Sequence, residues 1–175
     1  MATIAEKAVQ VSQMMTGGPP VINTYPEAAS QTFVAGQPVA LVAGYITEIT
    51  SGPIGDAGLL GFATEAAGNT ATSGERSVGV YDLTTETVCE FNLREGNSTT
   101  PTNHVMVAAD IGVAVGMQWD AADNRVYLTT AVTGADACFW VQGPAGPSVV
   151  GDTNARVLAR PMSLKLQSNP GLAAA

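Results

Sequence analysis

Thr87-Val88-Cys89-Glu90-Phe91-Asn92-Leu93 decides the fold class. Its side chains divide by parity. Val88, Glu90 and Asn92 fall on one face, and Cys89, Phe91 and Leu93 on the other. A period of two belongs to a strand with one face in a core; a helix would spread the same residues around its axis. Moving outward, the same grammar recurs in short runs punctuated by Gly and Pro. Thr32-Phe33-Val34 ends at Ala35-Gly36, and Gln37 to Val42 ends at Ala43-Gly44. Tyr45 to Thr50 ends at Ser51-Gly52-Pro53, and Leu59 to Ala63 leads into a polar loop from Ala66 to Gly74. Val78 to Tyr81 faces the opening stretch across Asp82 to Glu86, which reads as a hairpin.

Toward the C-terminus the runs are His104 to Val107, Val113 to Val115, Met117 to Trp119, Arg125 to Thr130, Cys138 to Val141, Arg156 to Leu158 and Ser163 to Leu166. The strongest hairpin joins Met117-Gln118-Trp119 to Arg125 onward through Asp120 to Asn124, because Asp and Asn tolerate the left-handed conformations of a tight turn. About ten short strands with 19 Gly and 10 Pro and few helix signals predict an all-β domain, a small β-barrel or β-sandwich. The expected core is Phe33, Val39, Leu41, Ile46, Leu60, Phe62, Val80, Phe91, Val126, Leu128, Phe139 and Val157.

Residues 1–30 read differently. Ile4, Ala5, Ala8, Val9, Met14 and Met15 have loose helical spacing, and Thr16-Gly17-Gly18-Pro19-Pro20 stops any helix. Val21 to Pro26 is extended and Pro-bounded. The division expected is an N-terminal arm over 1–30, helical for a turn or two at most, a β domain over 31–168 and a flexible tail over 169–175. Ile4, Val9, Val11, Met14, Met15, Val21, Ile22 and Tyr25 are the candidate apolar anchors by which such an arm would hold a partner.

Composition narrows function. The 175 residues carry 15 acidic and 7 basic side chains, a net charge of −8. Phosphate backbones and anionic membrane surfaces would repel this body, so neither nucleic acid nor membrane is an expected partner. No run approaches the ~20 apolar residues of a membrane-spanning helix. Glu6 and Lys7 interrupt the N-terminus before a signal-peptide core can form, which predicts synthesis in a cytoplasm. Only 13% of residues are charged, about half of the ~25% usual for soluble domains. Such a surface suits contact with other protein, since interface centres are depleted of charge.

Chemistry is sparse. His104 is the single histidine, so any Ser-His or Cys-His site would need it, and no G-x-S-x-G occurs. It reads as a strand-edge residue with a satisfied ring. Cys89 and Cys138 have no metal-binding or disulfide-framework spacing and read as small buried hydrophobes. Asp120-Ala121-Ala122-Asp123-Asn124 lacks the alternating oxygens and closing Glu of a calcium loop. No phosphate-binding Gly loop is present, and Asn97-Ser98-Thr99 carries no weight as a glycosylation acceptor without a secretion signal. Aromatic residues, 6% of the chain, are scattered among the strands rather than grouped as a stacking platform. No enzyme activity, catalytic residue, metal or cofactor is expected.

One stretch is family-like. Phe33-Val34-Ala35-Gly36-Gln37-Pro38-Val39-Ala40-Leu41-Val42, a Gly-bounded strand, then Gly58-Leu59-Leu60-Gly61-Phe62-Ala63 and a Thr/Ala/Gly loop resembles the decoration (cement) proteins of tailed bacteriophage capsids. The likeness covers roughly residues 31–75, about a quarter of the chain. It implies a small, acidic or neutral, β-rich structural protein with an N-terminal arm, often a homotrimer. Its partner would be the major capsid protein, and its place the outer capsid surface of the virion. It implies no catalytic residues. Binding the assembled shell but not its loose subunits would stabilise that shell by mass action. Two other readings stand beside it. One is a different virion component, such as a minor capsid, tail or fibre protein. The other is a β-barrel ligand or carbohydrate-binding module, which would need a concave pocket lined by polar groups and aromatics.

Overall fold

The computed structural model describes residues 1–50, 58–97, 100–132 and 137–162. The expected strand at 163–166, the expected tail at 169–175 and the turn at 51–53 lie outside the described residues, as do Ser98 and Thr99 of the Asn-Ser-Thr triplet. The fold is all-β. The strands are β1 (Gln10–Met14), β2 (Ile22–Pro26), β3 (Pro38–Val42), β4 (Tyr45–Glu48), β5 (Gly61–Ala63) and β6 (Ser77–Asp82). They continue with β7 (Thr87–Asn97), β8 (Thr100–Thr102), β9 (Ala114–Asp120), β10 (Arg125–Thr129), β11 (Phe139–Pro144) and β12 (Arg156–Pro161). Among the described residues one 3-10 turn spans Ala108–Asp110.

Two sheets form. In the larger, pairing runs β7–β10–β9–β11–β12 and returns from β12 to β7, so five strands close a ring. β1 and β8 add to β7 outside the ring. Alternation fills the inside: Cys89, Phe91 and Leu93 of β7, Val115, Met117 and Trp119 of β9, Val126 and Leu128 of β10, Phe139 and Val141 of β11, Val157 and Ala159 of β12. Closure removes the edges that would otherwise recruit foreign strands. The β9–β10 hairpin expected from Asp120 to Asn124 forms: Asp120 Oδ1 accepts the amides of Ala122 and Asp123, and Asn124 takes a φ of 51°.

The smaller sheet runs β2–β6–β5–β3–β4. Its ends are drawn together by a parallel bridge between Glu27 and Ile46, where the Ala28 amide donates to the Ile46 carbonyl at 3.0 Å. Phe33, Val39, Ile46, Leu60, Ala63, Val78 and Val80 fill this second barrel. Glu27 is fully buried, and its carboxylate accepts the Gly68 amide at 2.9 Å and the Asn69 amide at 3.2 Å, pinning the Ala66 to Gly74 loop against β2.

The barrels share one apolar body. Phe62 of β5 belongs to the larger cluster: its ring lies 5.9 Å from Phe91 edge-on, and Phe91 lies 4.8 Å from Phe139. All twelve expected core residues are buried except Leu41, which is half-buried. β5 can cross β6 this closely only because residue 61 is glycine, since a Cβ there would sit 2.0 Å from the Tyr81 carbonyl oxygen.

Three expectations are corrected. β6 and β7 are not a hairpin: β6 pairs with β2 and β5, while β7 enters the other barrel. Leu83, buried and bonded through its amide to the Leu60 carbonyl, marks the crossing. Ala114-Val115 and Met117-Gln118-Trp119, expected as separate runs, belong to one strand, β9, because Gly116 is no stop. It leaves room for Val132, whose side chain would lie 2.2 Å from a Cβ. Val105 makes only an isolated bridge to Thr153, so His104 to Val107 is a loop rather than a strand.

Candidate interaction surface

Residues 2–14 carry no helix. They lie extended along the outside of the first barrel and end as β1, antiparallel to β7. The β7 face of Val88, Glu90 and Asn92 points out of the ring, yet Val88 and Asn92 are buried because this strap covers them. The seat is polar. The guanidinium of buried Arg156 donates to the carbonyls of Lys7 and Ala8, to Asn92 Oδ1 and to the Glu90 carboxylate. Asn92 Oδ1 also accepts the Lys7 amide at 3.0 Å. Glu6 pairs with Arg94, and Arg125 donates to the Glu6 carbonyl at 2.8 Å. At the tip, the Asp152 carboxylate accepts the amides of Ala2 and Val149, which hold its carboxyl below the usual range.

The eight candidate anchors divide between two roles. Ile4, Val9, Val11 and Met14 are half-buried on their own barrel, with Val9 and Val11 packed on the larger cluster and the Met14 sulfur 3.7 Å from the Thr87 hydroxyl. Tyr25 packs on the second cluster and donates its hydroxyl to Asp82 at 2.6 Å; burial and that carboxylate push the phenol up to about 12. Met15, Val21 and Ile22 are exposed around the turn between β1 and β2.

A second apolar face was not singled out from the sequence. Buried Met106 lies between exposed Val105 and Val107. Ile111 and Val113 follow the 3-10 turn, and Val149 and Val150 precede β12. Hydrogen bonds tie these segments together at one end of the ring: Met106 N to Asp152 O, Gly151 N to Met106 O, and Gly112 N to Val141 O. Trp140, on the outer side of β11, extends the face between Ala114 and Arg160 in register. These seven large side chains are 37% to 56% exposed. The segments 105–107, 111–113 and 149–151 contain no charged residue. The signal in the sequence was apolar pairs inside predicted loops and short runs, with no alternation that would turn one of each pair inward.

His104 borders this face. Its Nε2 lies 2.9 Å from Asp110 Oδ2, which also accepts the Val107 amide, and its Nδ1 lies 3.9 Å from Glu95. The pair fixes the loop that carries Val105 and Val107. Cys89 and Cys138 are both buried, and burial pushes the Cys89 thiol far up. Among the described residues no three His, Cys, Asp or Glu side chains come together to hold a metal ion. One cleft of about 230 Å³ lies between strap and second barrel, bordered by Val9, Val11, Phe62 and Tyr81, and another of about 250 Å³ lies beside Asn23, Tyr25 and Asp82.

No protein-family model matches the chain, and no curated protein or solved structure is significantly similar to it.

Proposed function

We propose that this chain is a structural protein of a tailed-phage virion that binds the outside of the assembled capsid and stabilises it as a decoration oligomer. The observation that carries the reading is the uncharged apolar end of the first barrel on a chain of net charge −8. Large exposed apolar patches on soluble proteins mark interaction sites. The stretch that resembles decoration proteins includes β3, β4 and β5 of the second barrel. The exposed Met15, Val21 and Ile22 offer a second contact, to the major capsid protein.

Cosedimentation with expanded, undecorated heads of tailed phages tests it. Saturable binding at a fixed number of copies per shell, with a rise in the temperature at which shells open, is expected. Val21→Asp with Ile22→Asp should weaken that binding while leaving the fold intact. Absence of binding to every shell tried, or turnover of a small compound by the purified chain, would overturn the reading.

A further inference from the structure

We infer that the cleft beside Asp82 is a binding site for a guanidinium group, supplied by an arginine side chain of the protein that the exposed turn between β1 and β2 meets. The inference rests on the reading above and deepens it by naming the chemistry of the capsid contact. Asp82 ends β6 and borders the cleft of about 250 Å³ together with Val21, Asn23, Tyr25, Leu83 and Thr84. Its two carboxylate oxygens are treated unequally. Oδ2 accepts from the Asn23 side-chain amide and from the Tyr25 hydroxyl, each at 2.6 Å. Oδ1 is buried and, among the described residues, accepts no hydrogen bond. Neither donor on Oδ2 is a cation, and among the described residues no basic side chain lies within ion-pairing reach of Asp82. A buried carboxylate oxygen with no donor is costly. A donor from outside removes that cost, and a cationic one also meets the charge.

The surroundings select a guanidinium. Asp82 is the one carboxylate among the residues that border the cleft, and the Tyr25 phenol, pushed up to about 12, stays a neutral donor beside it. Val21 and Leu83 offer an apolar wall along which a long aliphatic stem can lie while its charged head reaches the acid. A guanidinium is less strongly hydrated than an ammonium and packs on aromatic rings, which suits a half-buried acid next to Tyr25. Val21 and Ile22, both exposed, stand at the rim and would exclude water around the ion pair. The net charge of −8 draws a cationic partner segment toward the chain.

Titration of the full chain with methylguanidinium, followed by nuclear magnetic resonance of the backbone amides, is the test. Saturable shifts at Val21, Asn23 and Leu83 are expected. Methylurea, neutral and of the same shape, should give none at the same concentrations. Asp82→Asn keeps an acceptor for the Tyr25 hydroxyl and should weaken methylguanidinium binding about tenfold or more, the equivalent of at least 1.4 kcal/mol, with an unchanged circular dichroism spectrum. If that variant does not fold, Thr84→Arg takes its place. It sets a guanidinium of the chain's own at the exposed rim and should block the probe to the same extent. Shifts spread over the surface without saturation, equal binding of methylurea, or unchanged binding by these variants would overturn the inference. Shell cosedimentation separates the two proposals. Shells that take up Asp82→Asn as they take up the unaltered chain remove this inference alone. Saturable methylguanidinium binding at this cleft by a chain that never binds shells removes the capsid reading alone.

Discussion

The two barrels solve closure differently. The first closes by continuous strand pairing, with β12 hydrogen-bonded to β7 over four register positions, and it is packed with large side chains from every stave. The second closes through one bridge at Glu27 and Ile46, backed by a buried carboxylate that holds a loop by its amides. Hydrogen bonds to a buried charge are strong but local, whereas packing is spread across the body. The first barrel is therefore expected to be the stiffer platform for the apolar end, and the second to open sooner under stress.

Deleting the shared aromatic contact should have the largest effect. Phe91→Ala leaves a cavity facing both Phe62 and Phe139 and should cost about 3–5 kcal/mol, read by denaturant unfolding. One cooperative transition is expected, since the barrels share that cluster. Two separated transitions would break the picture of a common core. Next, Glu27→Ala strands the Gly68 and Asn69 amides and should cost about 2–3 kcal/mol. Hydrogen exchange should quicken first around residues 66–74 and β2 while β7, β9 and β12 stay protected. Equal quickening in both barrels would contradict the contrast.

Smaller effects follow from titration. Tyr25 in the second barrel and Tyr127 in the first are each pushed up to about 12, chiefly by burial, with nearby Asp82 and Asp120 adding to it. A raised phenol favours the neutral folded form. Its contribution to stability is complete below pH 10 and is lost as pH rises through about 12. Absorbance titration should show late-ionising tyrosine signal, part of it removed by Tyr25→Phe and part by Tyr127→Phe. Asp152 works in the opposite sense. Its carboxyl is held below the ordinary 3.8 by the Ala2 and Val149 amides, so its contribution is present above about that pH and fades as pH falls through the lower folded value. Acid should release the strap tip. Exchange at the Ala2 and Val149 amides should rise toward that of Asp152→Asn, with little change in the β7–β10 pairing.

Much of the fold was legible because alternation is a local property. Phe91 and Leu93 read as inward from seven residues, and Val126 and Leu128 followed from the Asp120 to Asn124 turn. Sheet membership was not legible. Nothing local tells Val78 to Tyr81 to pair with β2 and β5 rather than with β7, because the partners lie far away in sequence, as does Leu60, whose carbonyl accepts the Leu83 amide. The strap was read as an arm because its apolar residues are few and loosely spaced. What seats it is Arg94, Arg125 and Arg156 catching backbone carbonyls and Glu6, and carbonyls leave no mark in a sequence. The barrel-end valines were passed over for a related reason, since a pair such as Val149-Val150 looks the same whether it plugs a core or faces outward.

The β12-to-β7 closure also sets an order of events at the ribosome. β7 and β10 lie parallel, and the ring they begin cannot be finished until the stave at Arg156–Pro161 arrives. A growing chain therefore holds β7 with an open edge while about sixty further residues are made, several seconds at ordinary rates of synthesis. β1, made before β7, pairs along the other edge of that strand, since Glu90 has Gln10 on one side and Leu158 on the other.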